Sequence, residues 1–180
     1  LEAVAMAPDG LLVGTEGRER GVARVFALAR VGDALVARGP AIEVRQDDVG
    51  VDLGANHGAE GVCSAGELLA IAIETAGTDG DGVHRSTDAG ASWHGSNPGL
   101  LARDMSGLVV DGAALYGNGR SIFRTTDEGD TWSEVRGTLG DSAVAPRLLY
   151  AGGDTLFAHD GSLFNRLVQS VDGGATWTEV

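Results

Sequence analysis

One short motif occurs three times in this chain and narrows its possible folds more than any other feature. The copies are Ser86-Thr87-Asp88-Ala89-Gly90-Ala91-Ser92-Trp93, Thr125-Thr126-Asp127-Glu128-Gly129-Asp130-Thr131-Trp132 and Ser170-Val171-Asp172-Gly173-Gly174-Ala175-Thr176-Trp177. Each reads [ST]-x-D-x-G-x-[ST]-W, and the aspartates stand 39 and 45 residues apart. A period of about 40–45 residues is the length that a four-stranded propeller blade requires. The three motif tryptophans are also the only tryptophans in the protein.

The residue types explain the motif as a turn. An aspartate carboxylate in a tight loop accepts hydrogen bonds from backbone N–H groups one to three residues further on, replacing ladder partners that a hairpin end lacks. Gly90, Gly129 and Gly174 suit a positive φ that a side chain would disfavour. Ser92, Thr131 and Thr176, just before the tryptophans, are placed to bond back into the same loop. Trp93, Trp132 and Trp177 then open the following strand as large apolar plugs. A catalytic or metal-binding role for Asp88, Asp127 and Asp172 is the competing reading. One carboxylate per repeat, always in the same turn, fits a folding device better.

Reading outward from each motif gives a four-strand order. Gly61–Ser64, Leu68–Ile73 and Gly82–Arg85 precede the first motif. Gly107–Val110, Ala114–Tyr116 and Ser121–Arg124 precede the second, and Arg147–Tyr150, Thr155–Ala158 and Asn165–Gln169 the third. These runs are short, apolar or β-branched, and bounded by glycine and aspartate, as antiparallel sheets require. No window carries a sustained 3.6-residue period, so almost no helix is expected. The expectation is an all-β propeller, or part of one, with four four-stranded antiparallel blades. The blades span residues 59–95, 105–136 and 146–180, with a degenerate, Trp-less blade over 1–40. Residues 41–58 form a long connection holding Asp47, Asp48, Asp52 and His57. No leftover strand closes the ring, which leaves a four-bladed ring closed by side-chain packing or, as favoured here, part of a larger ring completed by further blades or a second copy.

Charge limits the partners. The chain has 180 residues and a net charge of −13, and all 13 basic residues are arginine. Such an acidic surface argues against nucleic acid or an anionic membrane as partner. No apolar run reaches the roughly 20 residues that span a bilayer. Cys63 is the single cysteine, so no internal disulfide can form, and its apolar setting marks it as a small core residue.

The three motifs resemble Asp boxes, or BNR repeats, known from sialidases, sortilin-type receptors, xyloglucan-degrading glycosidases and photosystem II assembly factors. The resemblance is good over residues 60–180 and weak over 1–40. It implies that the motif aspartates are structural and lie on the face away from any ligand site. It also leans towards an extracytoplasmic location. Sialidase-like chemistry would call for an arginine triad, a tyrosine paired with a glutamate, and an aspartate acid/base. The family's N-terminal Arg-Ile-Pro signature is absent. Tyr116 and Tyr150 are the only tyrosines, and neither has a glutamate nearby in sequence, although Glu74 is a conceivable spatial partner. Arg85, Arg103, Arg120 and Arg124 are the candidates for an arginine cluster.

These readings point to a non-enzymatic scaffold binding a protein or glycan ligand through the loops opposite the motifs. Those loops hold Glu16, Arg18 and Arg20; Glu74, Asp79 and Asp81; Asn118 and Arg120; and His159 and Asp160. Asp47, Asp48, His57, Arg103 and Asp104 join them from the connections between blades. The alternatives are a fragment of a sialidase- or glycosidase-like enzyme, and an assembly or maturation factor. No cofactor or metal site is expected, apart from oxygen ligands that Glu74, Asp79 and Asp81 offer to calcium.

Overall fold

The computed structural model describes residues 3–7, 10–15, 21–53, 58–65, 67–73, 81–139, 146–162 and 166–180. Four antiparallel sheets follow one another along the chain as propeller blades, each starting at the centre and running outward. Blade 1 contains β1 (Ala3–Ala7), β2 (Gly10–Thr15), β3 (Val22–Val31), β4 (Ala34–Ala37) and β5 (Ile42–Arg45), followed by the short helix α1 (Gln46–Val49). Blade 2 contains β6 (Ala59–Ala65), β7 (Leu68–Ile73), β8 (Gly82–Ser86) and β9 (His94–Gly95). Blade 3 contains β10 (Gly107–Asp111), β11 (Ala114–Asn118), β12 (Ile122–Thr125) and β13 (Ser133–Glu134). Blade 4 contains β14 (Arg147–Gly152), β15 (Thr155–His159), β16 (Leu167–Ser170) and β17 (Thr178–Glu179).

The core lies between the blades. Side chains alternate across a strand, so a central blade must bury both of its faces. In β7, Leu69, Ile71 and Ile73 pack against blade 1, while Leu68, Ala70 and Ala72 pack against blade 3. In β11, Leu115 turns to blade 2, and Ala114 and Tyr116 turn to blade 4. Cys63 sits in the joint between blades 2 and 3, fully buried, and burial pushes its thiol up to about 12. One tryptophan enters each joint: Trp93 between blades 1 and 2, Trp132 between 2 and 3, and Trp177 between 3 and 4.

The motif turns hold these tryptophans in place. In the first, Ser92 donates to Asp88 through both its backbone N–H (2.8 Å) and its hydroxyl (2.6 Å). The Ser86 hydroxyl donates to the same carboxylate at 2.7 Å and accepts the Gly90 N–H at 2.8 Å. The other two turns repeat the pattern through Thr125, Asp127, Gly129 and Thr131, and through Ser170, Asp172, Gly174 and Thr176. The closing backbone donor lies four residues beyond the aspartate, one further than the turn chemistry alone suggested. The motif glycine has two reasons to be glycine. Gly129 has φ +90°, and its Cα lies against Ser96 and Arg85 of the preceding blade, where a Cβ would collide.

The following blade is also hydrogen-bonded to the preceding one. Trp132 Nε1 donates to Ser96 O at 2.7 Å, and Ser96 Oγ donates to Gly129 O at 2.5 Å. Arg85 reaches from blade 2 to Glu128 O at 2.6 Å and to the Asp130 carboxylate. The Trp177 N–H donates to Thr138 Oγ1 at 2.8 Å. Trp93 differs. Its Nε1 has no acceptor among the described residues, whereas Trp177 Nε1 donates to Gly174 O of its own turn at 3.1 Å.

Blade 1 departs from the sequence reading at residues 41–58. That stretch is not only a connection: β5 pairs with the first half of β3, as β4 pairs with the second half. Leu28 faces Ala37 and Val25 faces Ile42, so three steps along β3 match five along the partner. The outer edge of blade 1 is therefore one long strand broken by a two-residue bulge, and α1 follows it. The period-2 pattern of Ile42-Glu43-Val44-Arg45 was present in the sequence, but the loop-like residues around it concealed the strand. Where the motif would stand, Gly32 (φ +61°) and Asp33 make a two-residue hairpin turn.

Trp132→Ala should destabilise the fold by about 3–5 kcal/mol, as deletion of a packed aromatic does, measured by denaturant unfolding. The motif carboxylates supply a pH signature. Hydrogen bonds from Ser92 and Ser86 lower Asp88 to about 2, and those from Thr176 and Ser170 lower Asp172 to about 2. Thr125 and Thr131 lower Asp127 in the same direction. A depressed folded-state pKa stabilises the fold above the unfolded value near 3.8, and this contribution is lost as pH falls towards 2. Melting temperature should drop across that window, and by less in an Asp88→Asn/Asp127→Asn/Asp172→Asn variant already destabilised at neutral pH.

Candidate functional site

The motif hairpins join the third strand of a blade to the fourth, so the connections from second strand to third lie at the opposite end of the sheets. At that end the innermost strands β1, β6, β10 and β14 converge around a cavity of about 400 Å³. Its polar lining comes from Glu60, Ser106, Asn118 and Arg147, and its apolar lining includes Val4, Val62, Leu108 and Leu149. A broader depression of about 590 Å³ lies at the end of blade 1, between Gly21, Arg45, Gln46, Asp47 and Asp52. The central cavity is the better candidate, because all four blades contribute to it.

One glycine and one asparagine bring the strands together there. A Cβ on Gly61 would lie 2.8 Å from Leu108 N, so blades 2 and 3 approach closely only because that side chain is missing. Asn118 joins blades 3 and 4. Its Oδ1 accepts the Leu148 N–H at 2.8 Å, and its Nδ2 donates to Leu148 O at 3.2 Å. The side-chain amide thus stands in for a strand neighbour, satisfying two buried backbone groups at once. Arg147, one residue earlier on β14, is exposed and has no carboxylate partner among the described residues. In a chain of net charge −13, such a guanidinium is a ready partner for a ligand oxygen.

Several residues chosen from sequence have structural duties. Asn118 is buried by its clamp. Asp160 is buried as well, and burial raises its pKa, but Ser162 and Arg166 outweigh this and hold it at about 2. Its Oδ1 accepts the N–H of Ser162 (2.9 Å) and Arg166 (3.1 Å), while Oδ2 takes the Arg166 guanidinium at 2.8 Å, which ties Ser162 and Arg166 to the end of β15. Asp81 pairs with the buried His84 at 2.6 Å, and Arg120 with Asp104 at 3.2 Å. Asp48 caps the Arg45 N–H at 3.2 Å. His159 is half-buried on β15 beside Arg147. Glu16, Arg18, Arg20, His57, Glu74 and Asp79 lie outside the described residues.

Three of the candidate arginines, Arg85, Arg120 and Arg124, do not converge. Arg85 binds the motif loop of blade 3, Arg120 stays on the rim, and Arg124 lies over the Tyr116 ring at 5.8 Å within the joint between blades 3 and 4. Tyr116 is itself buried in that joint, whereas Tyr150 is half-exposed and rests on Phe157. Sequence reasoning missed Glu60, Ser106 and Arg147 as one group. Their shared feature, a polar residue at or just before the first strand of blades 2, 3 and 4, was visible in the strand order.

No protein-family model matches the chain, and no curated protein matches it in sequence. Its backbone does match solved structures. A GH74 enzyme from Niastella koreensis superposes with a TM-score of 0.63 at 20% identity, covering 99% of this chain and 29% of that one. A Hadza microbial sialidase gives 0.53 at 18% identity, covering 86% and 36%. The computationally designed Ika8 protein gives 0.52 at 9% identity, covering 98% and 60%. At these identities the likeness establishes the β-propeller fold alone, and the chain spans about a third of the two enzymes' length.

The Asn118 clamp yields a test. Asn118→Ala leaves the Leu148 N–H and C=O without partners and should cost about 1–3 kcal/mol. Hydrogen exchange at the Leu148 amide should accelerate in that variant while the Leu115 amide, deep in blade 3, stays protected.

Proposed function

We propose that this chain is a non-enzymatic propeller scaffold that binds a protein or glycan ligand at the face opposite its motif hairpins, with the central cavity as the seat. The observation that carries this reading is the chemistry of the cavity. It offers an exposed guanidinium at Arg147, a hydroxyl at Ser106 and one carboxylate at Glu60, set among apolar walls. That mixture suits recognition of a polar group carried on a partly apolar body. Glycoside hydrolysis ordinarily needs two carboxyl groups across the scissile bond, and Glu60 is the only carboxylate among the described lining residues.

A second reading, a portion of a carbohydrate-active enzyme, draws support from the GH74 and sialidase structures that share the fold. One set of measurements separates the two. The scaffold reading expects glycan-array or peptide-array binding that Arg147→Ala weakens about tenfold, a loss of ~1.4 kcal/mol typical of one charge-assisted contact. It also expects no turnover of fluorogenic sialosides or β-glucosides. Turnover abolished by Glu60→Gln would replace it with the enzyme reading.

A further inference from the structure

The motif hairpins of blades 3 and 4 seat alike on the blades that precede them. Gly129 lies against Ser96 and Gly174 against Val135, residues that follow Trp93 and Trp132 by the same three steps. The residue just before the motif serine or threonine faces the following blade in both joints: it is Arg85 in blade 2 and Arg124 in blade 3. The joints differ in what that arginine meets. Arg85 donates to Glu128 O at 2.6 Å and pairs with the Asp130 carboxylate, both in the blade 3 turn. In the blade 4 turn the matching positions are Gly173 and Ala175. Ala175 brings no acceptor side chain. Asp172, the one carboxylate of that turn, already takes donors from Ser170 and Thr176.

Arg124 is left with its donors unused. Its Nε is buried without an acceptor, and its guanidinium forms no ion pair among the described residues, in a chain with 26 acidic side chains. It lies instead over the ring of Tyr116, its cross-strand neighbour on β11, at 5.8 Å. Blade 2 has Ala70 at that place and offers Arg85 no ring. A ring meets a guanidinium through its face, so the N–H groups in the guanidinium plane stay free. A buried donor without an acceptor is unfavourable, and more so when it belongs to a charged group. Tyr116 therefore orients the cation without satisfying it.

We propose that the joint between blades 3 and 4 carries a carboxylate-binding site, in which a ligand carboxylate takes the part that Asp130 plays beside Arg85 in the preceding joint. The planar N–H donors of Arg124 match the two oxygens of such a group. Exposed Ala175 puts only a methyl group where the preceding joint has a carboxylate side chain. With Asp172 in the adjoining turn and a net charge of −13, repulsion favours a singly charged carboxylate over a phosphate dianion. The site lies at the motif end of the sheets, away from the central cavity, and does not depend on what binds there. A free organic acid and an acidic side chain of a protein segment carry the same group.

Nuclear magnetic resonance on the 15N-labelled chain tests this at the residue itself. Acetate, added at ionic strength held constant with chloride, should shift the Arg124 Nε–H signal with a Kd of about 1–10 mM. Inorganic phosphate should bind more weakly. A blocked Gly-Asp-Gly peptide is the second carboxylate probe: binding tighter than acetate assigns the site to an acidic protein segment, and weaker binding to a free acid. Ala175→Asp installs the acceptor that the blade 3 turn already has. It should raise the melting temperature and weaken acetate binding about tenfold or more, with the fold checked by circular dichroism. Arg124→Gln should remove the acetate-dependent shifts of neighbouring amides. An Arg124 signal that does not move up to about 100 mM acetate, phosphate binding as tight as acetate, or acetate binding that either variant leaves intact would overturn the proposal.

Discussion

Everything in this fold depends on the joint between consecutive blades and, within it, on the seating of one indole. A sheet such as blade 2 is apolar on both sides and has no stable existence alone. Its faces gain their free energy only when blades 1 and 3 exclude water from them. Trp132 illustrates the mechanism: its ring fills the space beside Ala70 and Leu115 while its N–H satisfies a carbonyl of the preceding blade. Apolar burial and hydrogen bonding thus act at the same place, and they hold the two blades at a defined spacing.

The motif carboxylate acts one level below this. Asp127 does not touch the next blade. It closes a turn so that the tryptophan leaves the hairpin in the right direction, and its low pKa reflects the donors gathered around it. Blade 1, without motif or tryptophan, shows what replaces them: a longer third strand, a bulged outer strand and a short helix bring Ile42, Val44 and Leu53 to the joint. Burial in that joint is comparable, but the polar fit is poorer, as the unpaired Trp93 Nε1 shows.

At the opposite end, chemistry and architecture compete for the same residue types. Asn118, Asp160 and Asp81 are polar residues at a strand end or in loops, which from sequence alone suggests ligand contact. The structure uses each as a substitute for a backbone partner or as a loop brace. Arg147, opposite His159 on β15, is exposed and forms no ion pair with a described carboxylate. Since propellers host both binding and catalysis, the function must be argued from the cavity's groups and not from the fold.

The sequence by itself determined the repeating unit: the motif period and the glycine-bounded apolar runs set four sheets and their order, and the three motifs set the end of blades 2, 3 and 4 that carries the turn. Local physics suffices for that, because turn chemistry and period-2 alternation act over short stretches of chain. Tertiary structure decided the rest. It showed that residues 42–45 complete blade 1, that Tyr116 and Arg124 belong to a joint and not to the cavity, and that Glu60, Ser106 and Arg147, far apart in sequence, share one cavity. Those outcomes depend on which strands meet across blades. That is settled by the packing of whole faces, which no short stretch of sequence encodes.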